Sequence, residues 1–302
     1  TMLLRLLCFL VLMSLFSSCS AIPRLDRPRE GSADEEVVQT KGDVEELCGI
    51  APNGAKIVGG NEAVPGEFPW MAGIFLTNRG YPRLFCGGSL IDHQHILTAA
   101  HCVNQTYHRP QPADLVVRLN EFDISSKDDG LDTLHVNVEK IFVHPLWNEK
   151  EFKDDLAILR LEQEVDFDPN LVPVCLPRGD ETFTSKSATV SGWGVTKEGG
   201  RASSTLRKAS VQIEANEDCL LKYDGSVPFQ ILESNLCASN PPRDACQNDS
   251  GGPLVVQGDD ERWTQVGIVS WGIGCGDRRF PGVYARISSY IDWIDSITQT
   301  TN

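Results

Sequence analysis

From residue 57 to the carboxy end, apolar residues fall in short stretches separated by turn residues. Leu134, Val136 and Val138 alternate with polar neighbours, as do Val211 and Ile213, the period-two pattern of a strand with one buried face. Residues 156–161, 254–256 and 266–269 are compact apolar runs, which predict strands covered on both faces. Helical spacing is clear only at Ile287, Tyr290, Ile291, Ile294 and Ile297, with Ser288 and Ser289 as the expected caps. The pattern predicts an all-β body with one carboxy-terminal helix and shows no internal repeat.

Upstream the texture changes. Residues 22 to about 47 are rich in proline and charge, with too little apolar surface to offset the cost of ordering, so a flexible pro-segment is expected there. Before it, Arg5 precedes an apolar run over 6–16, followed by Ser17, Ser18, Ser20 and Ala21, the layout of an export signal. That run is too short to span a bilayer. The expected organisation is a signal over 1–21, a pro-segment over 22–56 and a folded domain over 57–302, in a secreted protein.

Cysteine usage agrees with export. Without the signal, the chain keeps Cys48, Cys86, Cys102, Cys175, Cys219, Cys237, Cys246 and Cys275, an even set with no CxxC pair. Disulfides in an oxidising compartment fit this set better than zinc, and spacing alone leaves their connectivity open. A length of 302 residues with 41% hydrophobic content allows one large core or two small ones. The net charge of −15 disfavours nucleic acid and anionic membrane as partners and favours basic ligands.

The chemistry concentrates in three segments: Ala99-Ala100-His101-Cys102, Asp155-Leu156-Ala157 and Asp249-Ser250-Gly251-Gly252-Pro253. A serine hydroxyl needs a base within hydrogen-bond reach, and the base needs a carboxylate that fixes its tautomer. The order His, Asp, Ser excludes the α/β-hydrolase arrangement, in which the histidine comes last; the last histidine here is His144. Asp154 is a neighbouring acid, and only one of the two can hold the imidazole. His93, His95, His108, His135 and His144 read as structural or exposed.

Together with Ile57-Val58-Gly59-Gly60, Gly192-Trp193-Gly194 and Ser270-Trp271-Gly272, these segments resemble the chymotrypsin-like (trypsin-type) serine proteases from Cys48 to about Ile297. The resemblance implies two six-stranded antiparallel β-barrels with a cleft between them. Ser250 would be the nucleophile, His101 its base and Asp155 the orienting acid. The oxyanion donors would be the backbone amides of Ser250 and residue 248, which is Asn248 here where the family has glycine.

The resemblance also implies the pairings Cys48 with Cys175, Cys86 with Cys102, Cys219 with Cys237 and Cys246 with Cys275. Asp244 would be the acid at the floor of a primary pocket, beside Ala245, Ser270, Gly272 and Gly282, which selects Arg or Lys. Cleavage after Lys56 by a trypsin-like activator would free Ile57 to pair with Asp249, and activity should then fall at alkaline pH as that amine loses its proton. Cys48 would tether the cut peptide.

The acidic loop from Glu121 through Asp123, Asp128, Asp129 and Asp132 lies where some family members hold a structural calcium. Solvated acidic turn is the competing reading. Asn104-Gln105-Thr106 is a glycosylation sequon in a polar loop. No cofactor is required, and the expected partners are protein substrates, an activating protease and serpin-type inhibitors. The spacing around Cys48 and Cys175 resembles arthropod haemolymph cascade proteases. Asn248 keeps a non-catalytic protease homologue, acting as a binding partner, as the alternative.

Overall fold

The computed structural model describes residues 41–51, 61–77, 80–126, 128, 130–179, 181–195, 199–241, 249–274, 276–277 and 279–299. Two closed antiparallel barrels of six strands each dominate it. The first contains β2 (Met71–Leu76), β3 (Arg83–Leu90), β4 (His95–Thr98), β5 (Leu115–Leu119), β6 (Leu134–Val143) and β7 (Ala157–Leu161), in the order β2-β3-β4-β7-β6-β5. The second contains β8 (Ser187–Gly192), β9 (Arg207–Glu214), β10 (Asn235–Ser239), β11 (Pro253–Gln257), β12 (Trp263–Trp271) and β13 (Gly282–Arg286). Its order is β9-β10-β13-β12-β11-β8, and pairing of β8 with β9 closes it. A two-residue strand, β1 (Asn61–Glu62), pairs onto β9.

The period-two segments form strands as expected. In β9, Val211 and Ile213 are buried on either side of an exposed Gln212. In β6, Val136 and Val138 are buried, whereas Leu134 at the strand's start is exposed. Every residue of β2 is buried. The barrels meet through polar as well as apolar contacts: the Ser89 hydroxyl of β3 donates to Gln265 Oε1 of β12 at 2.5 Å in a buried setting.

The helices depart from expectation in three places. Lys41–Leu47 (α1) lies inside the stretch expected to be flexible, yet it is a helix. Its last carbonyls are satisfied from 214 residues or more away: the Arg262 guanidinium donates to Glu45 O, Glu46 O and Cys48 O at 3.3, 2.6 and 3.0 Å. The Cys48–Cys175 disulfide follows, and Gly49, at φ 70°, inserts its backbone between Pro173 and Trp263 where a Cβ would lie 2.5 Å from Trp263 O.

After the short α2 (Ala100–Val103), a third helix, α3 (Asn216–Tyr223), has no apolar stripe to announce it. It is held by the Cys219–Cys237 disulfide. The carboxy-terminal helix is α4 (Ile291–Thr298), but Ser288 and Ser289 do not cap it; they lie in a 3₁₀ turn, and Tyr290 occupies the cap position without its side chain bonding the first helical amides.

Replacing Arg262 by Ala should cost about 1–2 kcal/mol, because three carbonyls lose a charged donor, and lower Tm by roughly 2–6 °C. Thermal melting of the purified variant checks this, and an unchanged Tm would show the cap to be inert.

Candidate active site

The two barrels bring His101, Asp155, Ser250 and Ser270 to their seam. His101 sits in α2, directly after β4, on a segment whose Ala99 and Ala100 are fully buried. Asp155 lies just before β7, the strand that pairs with β4. The neighbouring strands therefore deliver acid and imidazole to the same end of the first barrel.

The contacts are specific. Asp155 is 1% exposed and accepts three donors: the His101 backbone N–H at 2.8 Å through Oδ1, His101 Nδ1 at 2.7 Å and the Ser270 hydroxyl at 2.5 Å through Oδ2. An ionised carboxylate only accepts hydrogen bonds, so it fixes the proton on Nδ1 and leaves Nε2 as the free basic nitrogen. Burial pushes the His101 pKa down, but the charge of Asp155 and its hydrogen bond outweigh burial, and the net direction is upward from 6.5. Asp154 faces the other way and accepts from Tyr290.

Ser250 is tied to both barrels through its backbone neighbourhood. Its carbonyl accepts from Gly87 N–H of β3 at 2.8 Å, while Gly251 N–H donates to Val269 O of β12 at 2.9 Å. Cys102, next to His101 and disulfide-bonded to Cys86, has its sulfur 3.8 Å from Ser250 O. Gly251 holds φ 79°, and a Cβ there would strike Thr98 Oγ1 and lie 2.6 Å from Gly87 O. The glycine after the serine is thus required both by conformation and by close approach.

Asp249 occupies a pocket built by the Gly-Trp-Gly motif. Its Oδ1 accepts Gly194 N–H at 2.8 Å, a Cβ on Gly194 would lie 2.5 Å from both carboxylate oxygens, and one on Gly192 would overlap Oδ1. Trp193, between them, is buried and donates its indole N–H to Phe122 O at 2.9 Å. Gly272 and Gly282 face each other at the ends of β12 and β13, where a Cβ on Gly272 would sit 3.8 Å from Gly282 Cα. Lys56, Ile57, Asp244, Ala245, Cys246, Asn248 and Cys275 lie outside the described residues. The other three expected disulfides are present.

Of the remaining histidines, His93 and His95 are held in the structure by specific contacts, whereas His135 is exposed. His93 Nδ1 bonds Val165 O and its ring stacks on Phe167; His95 Nδ1 pairs with Asp92. Asn104 ends α2, with its carbonyl accepting the Trp147 indole N–H at 2.8 Å, and the Thr106 hydroxyl of the same sequon donates to Glu149 at 2.6 Å. In the acidic loop after β5, where Asp129 lies outside the described residues, two of the acids already bond protein groups. Glu121 Oε2 meets the Arg118 guanidinium at 3.1 Å, and Asp123 Oδ1 accepts from Ser125 N–H and Oγ. Among the described residues, the only trio of potential ligand atoms within 4.8 Å is Cys86, His101 and Cys102, two of them spent in a disulfide.

One neighbour of the imidazole escaped the sequence reading. Phe152 packs its ring 5.9 Å from that of His101, backed edge-on by Trp147, and holds a left-handed φ of 49°. An aromatic in a turn three residues before the acid carries no periodic signal, so only its proximity reveals it.

A family model described as Trypsin matches residues 57–294. This chain belongs to the trypsin family. Trypsin-family relatives include Serine protease filzig of Drosophila melanogaster, 38% identical over 267 residues, which are 83% of this chain and 15% of the relative. Serine proteinase stubble, from the same organism, is 38% identical over 82% of this chain and 32% of its own length. The chain thus spans a third or less of these two proteins. The Clotting factor G beta subunit of Tachypleus tridentatus is 34% identical over 84% of this chain and 83% of its own.

The opposed influences on His101 give a direct expectation. In the wild type its imidazole titrates above 6.5; in Asp155→Asn the opposing charge is gone while burial remains, so the midpoint should drop below 6.5. Histidine ring NMR against pH reads both values. A midpoint that does not fall in the variant would show that Asp155 does not support the imidazolium.

Proposed function

We propose that this chain is a secreted, zymogen-activated serine endopeptidase that cleaves after Arg or Lys. The observation that carries the reading is the buried Asp155 carboxylate, which receives His101 N, His101 Nδ1 and Ser270 Oγ while Ser250 is held against the same barrel. In the proposed reaction Ser250 Oγ attacks the scissile carbonyl and its proton passes to His101 Nε2. The oxyanion is met by the backbone amides of Ser250 and Asn248. The leaving amine then takes the proton from His101, and water repeats the sequence to free the acid and regenerate Ser250.

Selectivity for a basic side chain rests on Asp244 with Ala245, in a slot that Gly272 and Gly282 leave open. Activation is cleavage after Lys56, with the freed Ile57 amine drawn to Asp249; residues 22–56, tethered through Cys48, form the pro-segment and 1–21 the signal. Three disulfides fit an oxidising compartment, and among the described residues no helix is long and apolar enough to cross a membrane. Asn104 is the proposed glycan acceptor. The proposed partners are protein substrates, an activating trypsin-like protease and serpin-type inhibitors, in keeping with relatives named for clotting. The reaction draws only on side chains and backbone amides; a calcium at Glu121 would concern loop stability, read by melting with and without the ion.

Limited trypsin treatment followed by a fluorophosphonate label should mark Ser250 in the cleaved chain and not in Ser250→Ala, with peptides carrying Arg or Lys before the scissile bond hydrolysed faster than neutral ones. A cleaved wild type that takes no label is instead a non-catalytic homologue.

The amide of residue 248 is tested separately. Asparagine tolerates the left-handed backbone better than other side chains, so Asn248→Gly should change kcat by less than about tenfold. A gain of roughly 100- to 1000-fold would mean that the wild type lacks one oxyanion donor.

A further inference from the structure

Directly behind the proposed triad lies a pair that the reaction above does not use. Asp154 is 7% exposed, holds φ 54° and accepts the Tyr290 hydroxyl at 3.0 Å through Oδ1. Its Oδ2 is buried and has no hydrogen-bond partner among the described residues. Tyr290 is itself buried, at the start of α4, and its ring meets His144 edge-on at 5.2 Å; His144 in turn packs on Trp293 of the same helix.

Two unfavourable features thus coincide at one residue: a left-handed backbone on a non-glycine and a half-satisfied buried carboxylate. Such features persist only where the surroundings over-determine them, and they coincide one residue before Asp155. Immediately beyond, Leu156 N–H donates back to Asp154 O at 3.0 Å and His144 N–H to Leu156 O at 3.1 Å, which closes a tight turn around the acid. The turn sends adjacent carboxylates in opposite directions, Asp154 to the carboxy-terminal segment and Asp155 to His101.

We propose that Asp154 is a positioning residue: clamped by the Tyr290 hydroxyl, it sets the left-handed turn that aims the Asp155 carboxylate at His101. The proposal rests on the protease reading for its effect on rate, but its effect on His101 can be read without turnover. It makes the carboxy-terminal helix a support of the catalytic acid, not only of the fold.

The test uses the full activated chain carrying Tyr290→Phe, Asp154→Ala or Asp154→Asn. The first two should lose about tenfold in kcat with KM within twofold, the scale expected when a catalytic group drifts by a fraction of an ångström. Asp154→Asn keeps an oxygen acceptor and tolerates the backbone, so it should retain at least half the activity.

The groups facing this cluster are Asp155, Asp154, His101, His144 and Tyr290. Because Asp155 raises the His101 pKa against burial, a loosened Asp155 should move both the His101 NMR midpoint and the acid limb of kcat/KM to lower pH. Tyr290→Phe and Asp154→Ala with unchanged kcat and an unchanged His101 midpoint would overturn the proposal, even if Tm falls. If Asp154→Ala does not fold, Tyr290→Phe, which removes a single hydroxyl, decides. A wild type without a labelled serine sinks the protease reading alone, since the His101 midpoint still reports whether Tyr290 positions Asp155.

Discussion

Asp155 is a charged group withdrawn from water at the seam of two barrels, and the rest of the site follows from the need to satisfy it. An ion in that position costs several kcal/mol unless hydrogen bonds replace its lost solvation. Here the donors come from both sides: His101 supplies two from the first barrel, and Ser270 supplies one from β12 of the second. Neither barrel alone can meet the requirement. Contacts that hold the barrels together, such as Ser89 with Gln265 and Gly87 with the Ser250 carbonyl, therefore also hold the imidazole in its tautomer. Removing one partner would leave a buried charge exposed to about 3–5 kcal/mol of uncompensated cost.

What was legible in the sequence, and what was not, divides along the same physical line. Strands were legible because barrel walls impose a period of two on neighbouring residues, as in Val136 and Val138. The His101, Asp155 and Ser250 segments were legible because each packs so tightly that flanking residues are constrained too: Gly251 by φ and by Thr98, Ala99 and Ala100 by complete burial. The disulfides of Cys48, Cys86 and Cys219 form as the family resemblance implied, although cysteine spacing alone left their pairing open.

By contrast, α1 takes its order from Arg262, far away in the chain, and no local pattern announces a cap supplied from there. The polar, eight-residue α3 is fixed by a disulfide rather than by an apolar stripe. Ser288 and Ser289 had the composition of caps, but the chain enters a 3₁₀ turn there and begins the helix only after Tyr290, whose hydroxyl is committed to Asp154. Phe152 and Asp154 differ from ordinary turn residues only in backbone sign, which composition does not carry.

The two acids that flank the chemistry are secured in different ways, and this bears on how the proposed zymogen would be silent. Asp155 is satisfied by His101 and Ser270, none of which lies near the proposed cleavage after Lys56 in the chain. The proposed base and its acid are thus brought together without help from that segment. Asp249 is one peptide bond from Ser250, and its carboxylate lies in a cradle that Gly192 and Gly194 keep free of side chains. Any shift of Asp249 is passed to the serine and to the residue 248 amide, whereas His101 is insulated from it by its own hydrogen bonds to the first barrel. Activation through an amine drawn to Asp249 would then adjust the nucleophile and the oxyanion donors while leaving the acid–base pair where it stands. The proposed zymogen would on this account hold its imidazole ready and withhold only the geometry that lets a substrate carbonyl be attacked.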